Sequence, residues 1–143
     1  MRWLRRPGRD TDLPAGPGFS WLCRPERAAV ARLSAVVDLP AGFPLARAGE
    51  PAREVFLVLD GALGVTRDHR ALAVLGAGSV AGELGVVLRS RRRQADLVTL
   101  APTTLAVTGA AEWKMLLAIV PRLADLVEGE IDRRLLELDA LDR

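Results

Sequence analysis

The feature that most restricts this chain is a rhythm of short apolar runs cut by turn residues, filling its middle from Ala35 to about Thr108. Val36-Val37-Asp38-Leu39 is closed by Pro40-Ala41-Gly42, and Phe43 to Ala46 by Gly49-Glu50-Pro51. Val55-Phe56-Leu57-Val58-Leu59 is the strongest run and ends at Asp60-Gly61. Ala62 to Thr66 follows, then a turn at Arg67-Asp68-His69, then Ala71 to Leu75. Gly76 and Gly78 break the chain again; Gln94 to Leu100 and Thr104 to Val107, joined through Ala101-Pro102, complete the series. Asp60-Gly61 between two apolar runs is a hairpin signal. Many short strands at this spacing predict a mainly β fold, a jelly-roll barrel of about eight strands.

Helical texture flanks the barrel. Arg24-Pro25-Glu26 is a helix start, with Pro in the first turn, and Ala29, Val30 and Leu33 then share a face. Beyond Gly109, Trp113, Leu116, Leu117 and Val120 recur at helical spacing until Pro121 breaks or kinks the helix. A second stripe runs through Leu123, Val127, Ile131, Leu135 and Leu138; the pair Glu130 and Arg134 supports it and Gly129 weakens it. Met1 to Gly18, rich in Pro and Gly, is expected to be a flexible tail, and residues 19–143 a single domain with C-terminal helices.

Composition narrows the function. A chain of 143 residues, 50% hydrophobic, can bury one domain's core. Its net charge is only +2, but the positive charge is nearly all Arg and is clustered. Arg2, Arg5, Arg6 and Arg9 crowd the N-terminus, where solvated side chains suffice as an explanation; Arg89, Arg91, Arg92 and Arg93 crowd one later segment. Clustered Arg points to an anionic ligand or partner. Cys23, the single cysteine, forms no internal disulfide and is expected to be a small packed side chain. No apolar run approaches the roughly 18 residues of a membrane span, and the N-terminus lacks a signal peptide's apolar stretch, so a cytoplasmic protein is expected. His69 has no partners at ligand spacing, and Ser20, Ser34, Ser79 and Ser90 show no triad, so neither a metal site nor an enzyme is expected.

One segment carries chemistry: Gly76-Ala77-Gly78-Ser79-Val80-Ala81-Gly82-Glu83-Leu84, followed by the Arg run and Gln94-Ala95. Gly82 lets a ligand approach the backbone closely. If Gly82-Glu83-Leu84 opens a helical turn, its N–H groups face an anion. An Arg on a facing strand can fork onto phosphate oxygens, and Glu83 can accept a bond from a sugar hydroxyl. Spacing alone does not fix this: Gly-Glu-Leu is a common tripeptide, and a solvated basic loop is the commoner outcome.

These residues resemble the cyclic nucleotide-binding domain family, which includes the sensor domain of the catabolite activator protein. The likeness rests on Asp38-Leu39-Pro40-Ala41-Gly42, Ala48-Gly49-Glu50-Pro51-Ala52, Val55 to Gly61 and Leu75-Gly76-Ala77-Gly78, in that order. Gly82-Glu83-Leu84 resembles the opening of the family's phosphate-binding cassette, and Arg93-Gln94-Ala95 its close. The resemblance implies that Glu83 binds the ribose 2′-hydroxyl and Arg93 the cyclic phosphate, with Arg92 the rival in register. Backbone groups around Gly82, Leu84 and Ala95 complete the cradle. Gln94 stands where the family has Ser or Thr, Asp96 replaces another, and Val80 and Ala81 replace an aromatic.

The expectation is therefore a stand-alone sensor of cyclic AMP or cyclic GMP, without cofactor, signalling through its C-terminal helices to an unknown protein partner. Those helices could also pair two copies of the chain. The alternative is a degenerate barrel that serves as an interaction or dimerisation module without ligand, which Gln94 and Asp96 favour. A polyanion binder using the Arg run is a further rival. Direct DNA binding is not expected, since the family reads DNA through a helix-turn-helix beyond the long helix.

Overall fold

The computed structural model describes residues 13, 14, 16–82 and 92–125. Among the described residues, a helix α1 (Arg24–Leu33) is followed by eight strands and a further helix. The strands are β1 (Ser34–Leu39), β2 (Pro44–Ala46), β3 (Glu54–Asp60), β4 (Ala62–Arg67), β5 (Arg70–Gly76), β6 (Val80–Ala81), β7 (Asp96–Thr99) and β8 (Thr103–Gly109). Helix α2 covers Ala110–Ile119, and residues 121–125 are again helical. The break at Val120 is where Pro121 denies the helix a donor.

The strands form two antiparallel four-stranded sheets, in the orders β1-β8-β3-β6 and β2-β7-β4-β5. This is the jelly-roll architecture the sequence predicts. Each sheet draws strands from both halves of the chain.

Strand β3 explains why its apolar run is unbroken. Side chains alternate across a strand, and here both faces are covered. Val55, Leu57 and Leu59 pack with Val30, Trp113, Leu116 and Leu123 in a cluster beneath the helices. Phe56 and Val58 pack with Val37, Leu63, Leu75, Leu97 and Leu105 between the sheets. A strand buried on both sides needs apolar residues at every position. Burying side chains of this size is worth about 1.5–3 kcal/mol each.

Three local expectations change. Asp60-Gly61 is not a hairpin: β3 and β4 belong to different sheets. Gly61, at φ 96°, turns the chain from one sheet to the other, and a Cβ there would run into Thr103 and the Pro102 carbonyl. The true hairpin is β4–β5, where Asp68 and His69 both take positive φ, 51° and 63°. Cys23 is exposed rather than packed, because it is the N-cap of α1, outside the buried helical face. The end of the expected tail is packed: Leu13 is buried, and Gly18 donates its N–H to the Leu59 carbonyl at 2.9 Å. Residues 1–12, and the stripe from Val127 to Leu138, lie outside the described residues.

Candidate functional site

The site forms where the end of β6 meets the start of β7. Gly78 donates to the Val58 carbonyl at 2.8 Å, and Val58 donates to the Ser79 carbonyl at 2.9 Å. These bonds set the short strand β6 against β3, with Ala81 opposite Phe56. The chain then reaches Gly82 at φ 84°, a conformation L side chains rarely adopt. A Cβ on Gly82 would overlap the Arg93 guanidinium. Glycine is thus required twice over, by its backbone angle and by the close approach of Arg93.

Arg93 is held from the other side by a turn distant in sequence. Its N–H donates to the Glu50 carbonyl at 2.8 Å, and its carbonyl accepts the Gly49 N–H at 2.9 Å. This clamp fixes the position of Arg93 against the Gly49–Glu50 turn. Arg93 is buried, with 6% of its surface exposed, whereas Arg92 is exposed and donates to the Gly49 carbonyl at 2.8 Å. Arg93 Nη1 donates to the Gly82 carbonyl at 3.2 Å and Nη2 to the Glu54 carbonyl at 2.9 Å. The Glu54 carboxylate lies 3.6 Å from Nη2, and the guanidinium sits 5.0 Å from the centroid of the buried Phe56 ring. A buried guanidinium needs such partners, because an uncompensated charge in this environment costs several kcal/mol. Stacking over an aromatic face adds a further cation–π attraction.

The remaining predicted residues divide. Gln94 turns its amide onto the Arg92 carbonyl at 3.0 Å, and Ala95 is half-buried just before β7. Asp96 accepts the Ala48 N–H at 2.7 Å, tying β7 to the same turn that clamps Arg93. Glu83 and Leu84 lie outside the described residues. Gly82 and Arg93 are brought together; Arg92 is not part of that contact.

Sequence reasoning missed Glu54 and Phe56. The signal was present: Glu54 is the charge directly before the strongest apolar run, and period-two alternation puts it on the face that Phe56 shares. Among the described residues, no group of three or more His, Cys, Asp or Glu is placed to hold a metal ion. No helix among them is long and apolar enough to cross a membrane.

The family model of the cyclic nucleotide-binding domain matches residues 36–119, the barrel and the first C-terminal helix. That is more than half of the chain, and the chain belongs to this family. Solved structures agree on the fold. A structure of cAMP-bound PfPKA-R superposes with TM-score 0.72 at 20% identity, covering 85% of this chain and 42% of that one. The catabolite activator protein of Thermus thermophilus gives TM-score 0.67 at 26% identity, covering 87% of this chain and 62% of that one. The c-di-GMP-responsive global regulator CLP of Xanthomonas campestris gives 0.68 at 21% identity, covering 82% and 62%. The chain thus spans less than two thirds of the length of each of these three. No curated protein matches the chain in sequence.

Proposed function

We propose that this domain is a regulatory sensor that binds a cyclic nucleotide, cyclic AMP or cyclic GMP, between the Gly82-Glu83-Leu84 turn and Arg93. The observation that carries this reading is Arg93: a buried guanidinium pressed against a positive-φ glycine at the mouth of the segment that the family uses for phosphate. A buried fork of N–H donors beside bare backbone is suited to phosphate oxygens. Glu83 would take the ribose hydroxyl. Binding would act by population shift, favouring the arrangement of the C-terminal helices that closes on the ligand. A protein partner, or a second copy of the chain, would then sense the change.

A second reading, an interaction module without ligand, draws on Gln94, whose amide is turned onto the Arg92 carbonyl instead of serving as the family's hydroxyl. Thermal melting separates the two. With cyclic AMP, cyclic GMP, 5′-AMP or no addition, a ligand at about 100 times its dissociation constant adds roughly 2.7 kcal/mol. A chain of this size would melt several degrees higher. A rise with cyclic nucleotides alone supports the sensor; no rise with any nucleotide favours the interaction module.

A further inference from the structure

Glu54 touches Arg93 with two different groups. Its backbone carbonyl accepts from Nη2 at 2.9 Å, and its carboxylate stands 3.6 Å from the same nitrogen. The carbonyl contact belongs to the barrel wall, since Glu54 begins β3 and pairs with Gly109 of β8. The carboxylate contact does not: the Glu54 side chain is 36% exposed, while that of Arg93 is 5% exposed. One partner is therefore anchored and the other is at the rim, free to turn toward water. A carboxylate and a phosphate are alternative anions for one guanidinium, and two anions side by side repel each other.

We propose that Glu54 sets ligand affinity by acting as a built-in counter-ion, which an incoming phosphate must displace from Arg93. This rests on the reading of Arg93 as the phosphate partner. The carboxylate contributes to compensating the buried guanidinium when no nucleotide is bound, and its displacement opposes binding. Glu54 also lies at the join between the site and the helices. Its ladder partner Gly109 is the N-cap of α2, and the Ala110 N–H donates to the carbonyl of the neighbouring Arg53 at 3.1 Å. Release of the carboxylate thus occurs beside the first turn of α2.

The test is calorimetric titration of cyclic AMP and cyclic GMP into the wild type, Glu54→Gln and Glu112→Gln. Glutamine keeps the backbone bond and the side-chain length but removes the charge. Glu112→Gln removes an equal charge from the first turn of α2. Glu54→Gln is expected to bind about two- to tenfold tighter, the scale of a partly exposed ion pair and its repulsion. Damage to a merely structural residue would weaken binding instead. Should Glu54→Gln fold poorly, Glu54→Asp withdraws the carboxylate and is expected to tighten binding by a smaller factor. Unchanged or weaker affinity while the wild type still binds overturns the counter-ion role and leaves the sensor reading intact. An equal gain in Glu112→Gln also overturns it, since the effect would then be general charge. Binding by Glu54→Gln alone supports it; binding by neither overturns it together with the nucleotide reading.

Discussion

Gly82→Ala is a sharp test of the site because the structure supplies a matched control. Gly78 has nearly the same backbone angle, φ 91° against 84°, but a Cβ there has nothing within 4 Å. Gly78→Ala therefore meets only the left-handed backbone penalty, about 1–2 kcal/mol. Gly82→Ala meets that penalty and also displaces the Arg93 guanidinium. A Cβ at Gly82 would in addition crowd the Glu54 carbonyl and the Phe56 ring, each at 3.2 Å, so the backbone has little room to shift. Arg93 would give up part of its bonding to Gly82 and Glu54, where a charged hydrogen bond is worth roughly 1.5–3 kcal/mol. The expected total is about 2.5–5 kcal/mol, against about 1–2 for Gly78→Ala. Urea denaturation with both variants measures the difference directly. Equal destabilisation would refute the close packing of Gly82 on Arg93, because backbone strain alone would then account for both.

Other consequences are equally specific. Gly18→Ala should destabilise by roughly 2–4 kcal/mol in thermal melts, because its Cβ would meet backbone atoms of Val58, Leu59 and Gly78, which cannot rotate away. His69→Gly should stabilise by about 0.5 kcal/mol in urea titrations, since glycine favours the second positive-φ position of the β4–β5 turn. Glu26 accepts the Cys23 N–H at 2.9 Å; this bond, a second from the Cys23 side chain and the nearby Arg122 charge hold its carboxyl below the ordinary 4.5. A depressed folded-state pKa gives stability that is present above the unfolded value and lost as pH falls through the folded one. Glu26→Gln should therefore flatten the stability–pH curve on its acid side, below pH 4.5, with no change in slope near neutrality.

Much of this fold is legible because burial leaves a period in the sequence. The runs at β1, β3, β4, β5 and β8 are visible as apolar segments between turn residues, and α1 begins at Arg24 as its Pro25-Glu26 step suggests. Strand β6 escapes notice because two residues, Val80 and Ala81, hold no detectable alternation among Gly76, Gly78 and Gly82. Asp60-Gly61 misleads for another reason: a local turn signal says nothing about which strand will be the partner. Here Thr103 and Pro102, far along the chain, decide that the turn crosses between sheets. The site shows the same limit. Arg92 and Arg93 are equivalent as residue types, and only the backbone clamp from Gly49 and Glu50 sends one inward and the other out. Glu54, a charge at the head of an apolar run, was visible in the sequence, but its contact with Arg93 exists only once β3 faces the basic segment.

The measurement closest to the heart of the account is the affinity of cyclic AMP and cyclic GMP for Arg93→Ala and Arg92→Ala, each verified as folded by its melt. Loss of the inward guanidinium should weaken binding by roughly 10- to 100-fold, as expected for one charge-assisted contact. Loss of the outward one should leave affinity within about twofold, the range of an exposed surface charge. Full affinity in Arg93→Ala, or its collapse in Arg92→Ala, would contradict the assignment of the phosphate to Arg93.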